Sequence, residues 1–249
     1  LKGSLGNIFI RNGLVIFQFA ISTILIICTI IVFQQLSYTQ NKDLGLNKDN
    51  IIVISNANRL GSSEEIFRQQ VSSLPNIVSA SISTSVPAQN TFTDFYQPQA
   101  DDSDKQISKD LTLSSFMVDE NFVPTLQLQM LNGRNFSKDF ADSTSVIINE
   151  ETARQIGWKN GLGKYLQYPG NNDQQFKVIG VVKNFNVSSF RDVVMPFALF
   201  YSSSKTYNSG SSYLLARVKS NDVQNTLPSL QSNWQTFSTV PPFDSIFLL

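Results

Sequence analysis

The sequence predicts an α+β chain: a transmembrane helix with a helical stalk, then a split-βαβ subdomain that carries a smaller, strand-rich α+β subdomain inserted between its halves. Three observations lead there. No charge occurs between Arg11 and Lys42, and 16 of the 21 residues from 13 to 33 are apolar. A strand, helix, strand pattern follows that run and returns at the end of the chain. Between the two patterns lie several short runs of β-branched and aromatic residues.

The apolar run comes first in the chain. At about 1.5 Å per residue its 21 positions cover ~31 Å, the thickness of a hydrocarbon core. A cleaved secretory signal has an apolar stretch of about 7 to 15 residues and a small-residue cleavage site. Here the run is longer, and after Ala20 the next alanine is Ala57. Lys2 and Arg11 precede the helix without an acidic neighbour, whereas Lys42 is followed by Asp43, so the N-terminus is expected in the cytoplasm. Gln18, Ser22 and Thr29 fall within about 40° of one another on a helix and form a weakly polar stripe. Such a stripe packs against other membrane helices, or its hydroxyls bond back to their own helix. Phe33 and Leu36 continue the apolar pattern without glycine or proline until Gly45, which predicts a helical stalk that either transmits motion or serves as a spacer. The chain starts at Leu1 and reads as a segment of a longer protein.

In the exterior part, residues 51–54 form a β-branched strand. Ser62 with Glu65 fits a capping box, Ile66, Phe67, Val71 and Leu74 share a helical face, and Pro75 ends the helix. From Val78, the residues Ala80, Ile82, Thr84 and Val86 alternate with serines, as in a strand buried on one side. At the other end, residues 213–219 form a strand, Val223, Leu227, Leu230, Trp234 and Phe237 follow helical spacing with Pro228 disturbing the first turns, and residues 243–249 form a last strand after Pro241 and Pro242. Two such units combine as a ferredoxin-like sheet with both helices on one face. The middle supplies strands at 111–118, 145–149, 176–184 and 197–201 and short helices at 120–126 and 150–156, while 87–109 reads as a flexible connection. The predicted organisation is a cytoplasmic flank at 1–12, helix and stalk at 13–45, the split-βαβ subdomain at 46–88 and 210–249, and linker plus insertion at 89–209.

Composition narrows the chemistry. Nineteen basic and nineteen acidic side chains cancel, and only 15% of residues are charged, against about 25% in soluble proteins, so no broad basic field for nucleic acid exists. The absence of histidine removes Ser-His-Asp and Cys-His nucleophiles and imidazole metal ligands. Cys28, the only cysteine, lies inside the apolar run and has no disulfide partner in the chain.

The remaining motifs are weak. Gly161-Leu162-Gly163-Lys164 lacks the spacing and the following Ser or Thr of a phosphate loop and reads as a turn. Ser202 and Lys205 have the spacing of a Ser/Lys nucleophile pair, but they stand in a Ser-rich loop with nothing to depress the lysine pKa. Asp119-Glu120 suits helix capping, and Asp101, Asp102 and Asp104 lack the glycine and distal glutamate of a calcium loop. Gly133 suits a turn, and Arg134 suits a backbone or acidic neighbour. No catalytic, metal or cofactor site is expected in this chain.

The ordered set of residues 11–35, Asn41-Lys42-Asp43-Leu44-Gly45, Val118-Asp119-Glu120-Asn121-Phe122, Leu131-Asn132-Gly133-Arg134-Asn135-Phe136-Ser137, Val146-Ile147-Ile148-Asn149-Glu150, 157–164 and Val178-Ile179-Gly180-Val181-Val182-Lys183-Asn184-Phe185 resembles the extracytoplasmic core domain of MacB/FtsX-type ABC transporter permeases. Gly161 stands where that family usually has proline, which bears on the local turn. The resemblance implies a porter-like half with an inserted half, in a bacterial cytoplasmic membrane protein whose main domain is periplasmic. It also implies a non-catalytic permease subunit that works with a cytoplasmic ABC ATPase, the holder of ATP and magnesium. Other membrane helices of the same permease, a dimeric or pseudo-dimeric assembly and membrane lipid are the implied partners. Two other readings stand beside it: a membrane-anchored exterior sensor that binds a ligand, and a Ser/Lys peptidase.

Overall fold

The computed structural model describes residues 4–41, 44–87, 89, 91–99, 111–170, 174–187, 194–204, 212–219, 223–237 and 243–248. Asp101, Asp102, Asp104, Lys205, Lys42, Asp43, Pro241 and Pro242 lie outside the described residues. The chain divides into two units, an N-terminal helix and a domain that begins at Leu44.

Helix α1 (Ser4–Asn41) has 38 residues, hence a length of ~57 Å, well beyond one hydrocarbon core. Its segment Ile10–Ser37 is long and apolar enough to cross a membrane. The helix starts earlier than the apolar run, because residues 4–12 contain no proline and continue the same backbone hydrogen bonding.

The domain is mixed α+β. In order it contains β1 (Ile51–Ser55), a 3-10 segment (Ala57–Ser63), α2 (Glu64–Ser73), β2 (Ile77–Ser83), β3 (Phe92–Pro98), β4 (Leu111–Val118), α3 (Phe122–Leu126) and β5 (Met130–Gly133). There follow a 3-10 turn (Asp142–Thr144), β6 (Ser145–Asn149), α4 (Glu150–Ile156), β7 (Tyr165–Tyr168), β8 (Gln174–Val182), β9 (Phe197–Tyr201), β10 (Tyr213–Val218), α5 (Val223–Phe237) and β11 (Ser245–Phe247).

Strands β11, β1, β10 and β2 lie side by side, each antiparallel to its neighbour. The other pairings close on themselves: β4 to β3, β3 to β7, β7 to β8, β8 to β6, β6 to β9, and β9 back to β4. Among the described residues, only Ser83 opposite Val118 pairs the four-stranded sheet with this six-stranded ring.

Three apolar clusters fill the domain. The even positions of β1 and β10 (Ile52, Ile54, Leu214, Ala216) pack against Phe67 and Val71 of α2 and Leu230 and Trp234 of α5. Every ring strand sends residues inward, among them Tyr96, Leu113, Ile148, Leu166, Phe176 and Phe200. The third cluster joins the two sheets: Ile51, Val53 and Leu215 meet α3 and the outward residues Phe116, Val118, Ile147 and Leu199 of the ring. The sheet and the ring therefore share a core and form one compact unit, although a single backbone pair links their strands among the described residues.

Several local expectations are corrected. Ser63 precedes α2 and no side-chain cap forms there; Glu65 bonds Arg68 instead of closing a capping box with Ser62. Ile66 is exposed, off the Phe67 and Val71 face. The serine side of β2 is not a solvent face: Ser81 and Ser83 are buried, Ser81 against Asp119. Residues 92–98, expected in a flexible connection, form β3, with Tyr96 inside the ring. Helix α5 keeps helical structure from Val223 through Pro228. Strands β5 and β7 add pairings to β8 that their short sequences do not announce.

Candidate functional site

The segment that opens the domain is fastened at several points. Leu44 is buried, and its carbonyl accepts from the Asn186 amide at 2.8 Å. Gly45 follows with φ +71°, and a Cβ there would strike the Asn184 carbonyl oxygen and stand 2.9 Å from Phe185 Cα. Only glycine permits both the left-handed turn and that approach. The Asn47 amide donates to the Leu126 carbonyl at 2.9 Å, and its side-chain amide donates to Gln127 Oε1 at 2.9 Å. Gln127 itself sits at φ +53° where α3 ends.

Arg217 locks this segment to the sheet. It lies on β10 and is 5% exposed, and its Nε, Nη1 and Nη2 donate to the carbonyls of Thr125, Asp49 and Asn47 at 2.7, 2.9 and 2.7 Å. Burial pushes its pKa down, partly offset by the Asp49 carboxylate. The sequence offered one signal for it, a lone cation in the apolar strand Tyr213–Val218, since a buried charge must find partners.

A second constellation lies where α2 and β2 meet the turn between β4 and α3. Asp119 is buried, and its carboxylate accepts from Ser81 Oγ at 2.5 Å, the Ile82 amide at 3.1 Å and the Asn121 amide at 3.1 Å. Arg68 Nε stands 3.5 Å away and gives its closer bonds, 2.9 and 2.7 Å, to Glu65. Lys138 bridges Glu65 and Glu120 at 2.8 and 3.3 Å, and the Tyr201 hydroxyl donates to Glu120 at 3.1 Å. Burial pushes the Asp119 carboxyl up to about 6, against the bonds from Ser81 and Ile82. The Arg68 bonds hold Glu65 down at about 2.

The run from Leu131 to Ser137 builds a tight corner beside it. Gly133 has φ +77°, and a Cβ would strike the Ile179 carbonyl oxygen. Arg134 reaches both oxygens of the buried Asp142 at 2.7 Å and donates to the Asn135 carbonyl at 3.0 Å. Asn135 donates to the Glu120 carbonyl at 2.7 Å, and Phe136 stacks on Tyr201.

The weaker motifs are described only in part, since Lys205, Asp101, Asp102 and Asp104 lie outside the described residues. Gly163 has φ +80° in a turn whose amide donates to the Val178 carbonyl at 2.8 Å. Ser202 is exposed, and its amide donates to the Val118 carbonyl. Among the described residues no group of three His, Cys, Asp or Glu is placed to hold a metal. Along α1, Gln18, Ser22, Thr29, Phe33 and Leu36 are all exposed, and the Thr29 hydroxyl donates to the Leu25 carbonyl at 2.8 Å. A groove of about 420 Å³ lies between β5 and α4, and Asn132, Glu150, Arg154, Lys159 and Trp158 are among the residues that line it.

The sequence profile of the MacB-like periplasmic core domain matches residues 13–229. The chain belongs to that family. The crystal structure of the periplasmic region of MacB from Actinobacillus actinomycetemcomitans is similar in fold, with a TM-score of 0.55 at 18% identity over 82% of this chain and 90% of that one. A domain of a putative permease protein from Porphyromonas gingivalis gives 0.48 at 14% identity over 76% and 84% of the two chains. The extracellular domain of the ABC-type transporter YknZ from Gram-positive bacteria gives 0.48 at 13% over 74% and 95%. No curated protein matches the chain. Within this MacB-like domain, the motif residues Leu44-Gly45, Asp119 to Phe122 and Leu131 to Ser137 supply the lead-in anchor, the buried carboxylate and the tight corner.

Proposed function

We propose that this chain is the membrane-anchored exterior portion of a bacterial ABC permease that passes motion of α1 to its periplasmic domain. The motion comes from ATP hydrolysis on a separate cytoplasmic ATPase, which holds ATP and magnesium, and the domain displaces or handles a periplasmic substrate or partner. The chain performs no catalysis itself. On this reading α1 crosses the cytoplasmic membrane with Gln18, Ser22 and Thr29 toward other helices of the permease, Phe33 and Leu36 belong to the stalk, and two such domains face each other in a dimer or pseudo-dimer. The sheet order β11, β1, β10, β2 supports a split-βαβ, porter-like half, with the six-stranded ring as the inserted half.

The observation that carries the reading is the fastening of Leu44 to Asp49. A flexible tether would dissipate a displacement arriving at residue 44. Here the displacement meets Asn186, Leu126 and, through Arg217, strand β10 within six residues. The shared core then moves as one piece.

The test is purification of the full-length protein from its own cells, followed by spin-label distances on the exterior domain. An ABC ATPase subunit should accompany the protein, and ATP binding should shift distances between domains while those within residues 44–249 stay fixed. If no ATPase accompanies it and nucleotide changes nothing, the reading fails and a ligand sensor using the β5–α4 groove takes its place.

A further inference from the structure

Three carboxylates, Glu65, Asp119 and Glu120, share two cations, Arg68 and Lys138, at the seam between α2–β2 and the β4–α3 turn. The cations are unequally divided. Arg68 is committed to Glu65 through two bonds and stands 3.5 Å from Asp119, while Lys138 serves Glu65 and Glu120. Asp119 therefore has the most distant cation of the three, although three neutral donors bond it, and its side chain, 8% exposed against 20% for Glu120 and 44% for Glu65, is the most buried. Where carboxylates outnumber cations in a poorly solvated site, the surplus charge is removed by a proton.

We propose that this cluster carries one exchangeable proton, taken up by Asp119 between neutral and mildly acidic pH, and that the seam is a pH-sensitive joint. The groups around Asp119 fix what the proton does. It meets Arg68 of α2, which Glu65 also holds, Ser81 of β2 and, in its own turn, Glu120, to which Lys138 of the loop after β5 and Tyr201 of β9 are bonded. The Ile82 and Asn121 amides can only donate, so the proton points to the Ser81 hydroxyl, which reverses from donor to acceptor across 2.5 Å. Arg68 then loses its nearest second anion and keeps its bonds to Glu65 and the Ala80 carbonyl.

The carboxyl, raised to about 6, agrees with this charge count. Its folded pKa lies above the ordinary 3.8, so the folded protein binds the proton more tightly than the unfolded chain. The stability contributed by this group is fully present below 3.8 and is lost as pH rises through about 6. Glu65, held at about 2, acts in the opposite sense: its contribution is present above 4.5 and is lost as pH falls toward 2. Of these two groups, Asp119 is the one that changes between pH 7 and 5.

The inference does not depend on the transport reading, and its test needs no transport. Full-length protein with carbon-13 in its aspartate carboxyls is titrated in detergent micelles, with Asp119 assigned through correlation to its own amide. The Asp119 carboxyl should titrate with a midpoint between pH 5 and 7, and the Ile82 and Asn121 amides should move with the same midpoint. In the Glu65→Gln variant, two carboxylates face two cations and Arg68 is released toward Asp119. The proton affinity of Asp119 should then fall about tenfold, one pH unit. An Asp119 midpoint below pH 4.5, or one that Glu65→Gln leaves in place, overturns the proposal.

Discussion

Arg217→Met is expected to lower the unfolding free energy by roughly 2–4 kcal/mol, because three charge-assisted hydrogen bonds are lost together. Methionine fills most of the volume of the arginine stem, so cavity formation adds little. The loss divides unequally among the acceptors. Asp49 is exposed and Asn47 half-exposed, so their carbonyls regain water, whereas Thr125 is fully buried and its carbonyl loses a partner that water cannot replace. Arg217→Lys, with one ammonium for three divergent acceptors, should cost about half as much. Denaturant unfolding in detergent, followed by the fluorescence of Trp158 and Trp234, measures both. A loss below about 1 kcal/mol for Arg217→Met would show that the lead-in segment is held by its other bonds alone.

Gly45→Ala should release the same segment from the other side. An alanine at φ +71° costs about 1–2 kcal/mol in backbone conformation alone. Its Cβ would also collide with the Asn184 carbonyl and Phe185 Cα, which are backbone atoms without a rotamer to change. The cheapest relief is undocking of residues 44–47, so the damage should be local. Hydrogen exchange at the Asn186 amide, which donates to Leu44, should accelerate at least about tenfold, the equivalent of 1.4 kcal/mol, while the Val178 amide in the ring keeps its protection. Equal acceleration at both would mean that the domain unfolds as a whole; no change at Asn186 would mean that the glycine is not needed for docking.

How much of this was legible in the sequence depends on how local each signal is. Strands β4, β6 and β9 and helix α4 fall where the sequence places them, and in α4 the structure adds an Asn149 cap whose side chain accepts from the Thr152 amide at 3.0 Å. Strand β3 was hidden because six of its seven residues are not fully buried, so its polar sequence looks like a loop, and pairing with β4 holds it. Strands β5 and β7 have four residues each, too few to show a period, and rest on β8. The fastening points are harder still. Arg217 bonds only backbone carbonyls 92 to 170 residues away, and backbone acceptors leave no trace in residue type. Asp119 pairs with Ser81 and Arg68 far upstream, so its role as a buried junction could not be told from simple capping. The order of motifs identified the family, while the bonds that give those motifs their work needed the structure.

The central claim is that α1 spans the membrane and holds the domain on the outer side. The most direct test is labelling of a single cysteine, Ser203→Cys in a Cys28→Ala background, on intact cells with a membrane-impermeant maleimide, since Ser203 is exposed on the domain. Labelling of intact cells, made accessible only through the outer membrane where one exists, is the predicted result. Labelling that requires rupture of the cytoplasmic membrane would contradict the account.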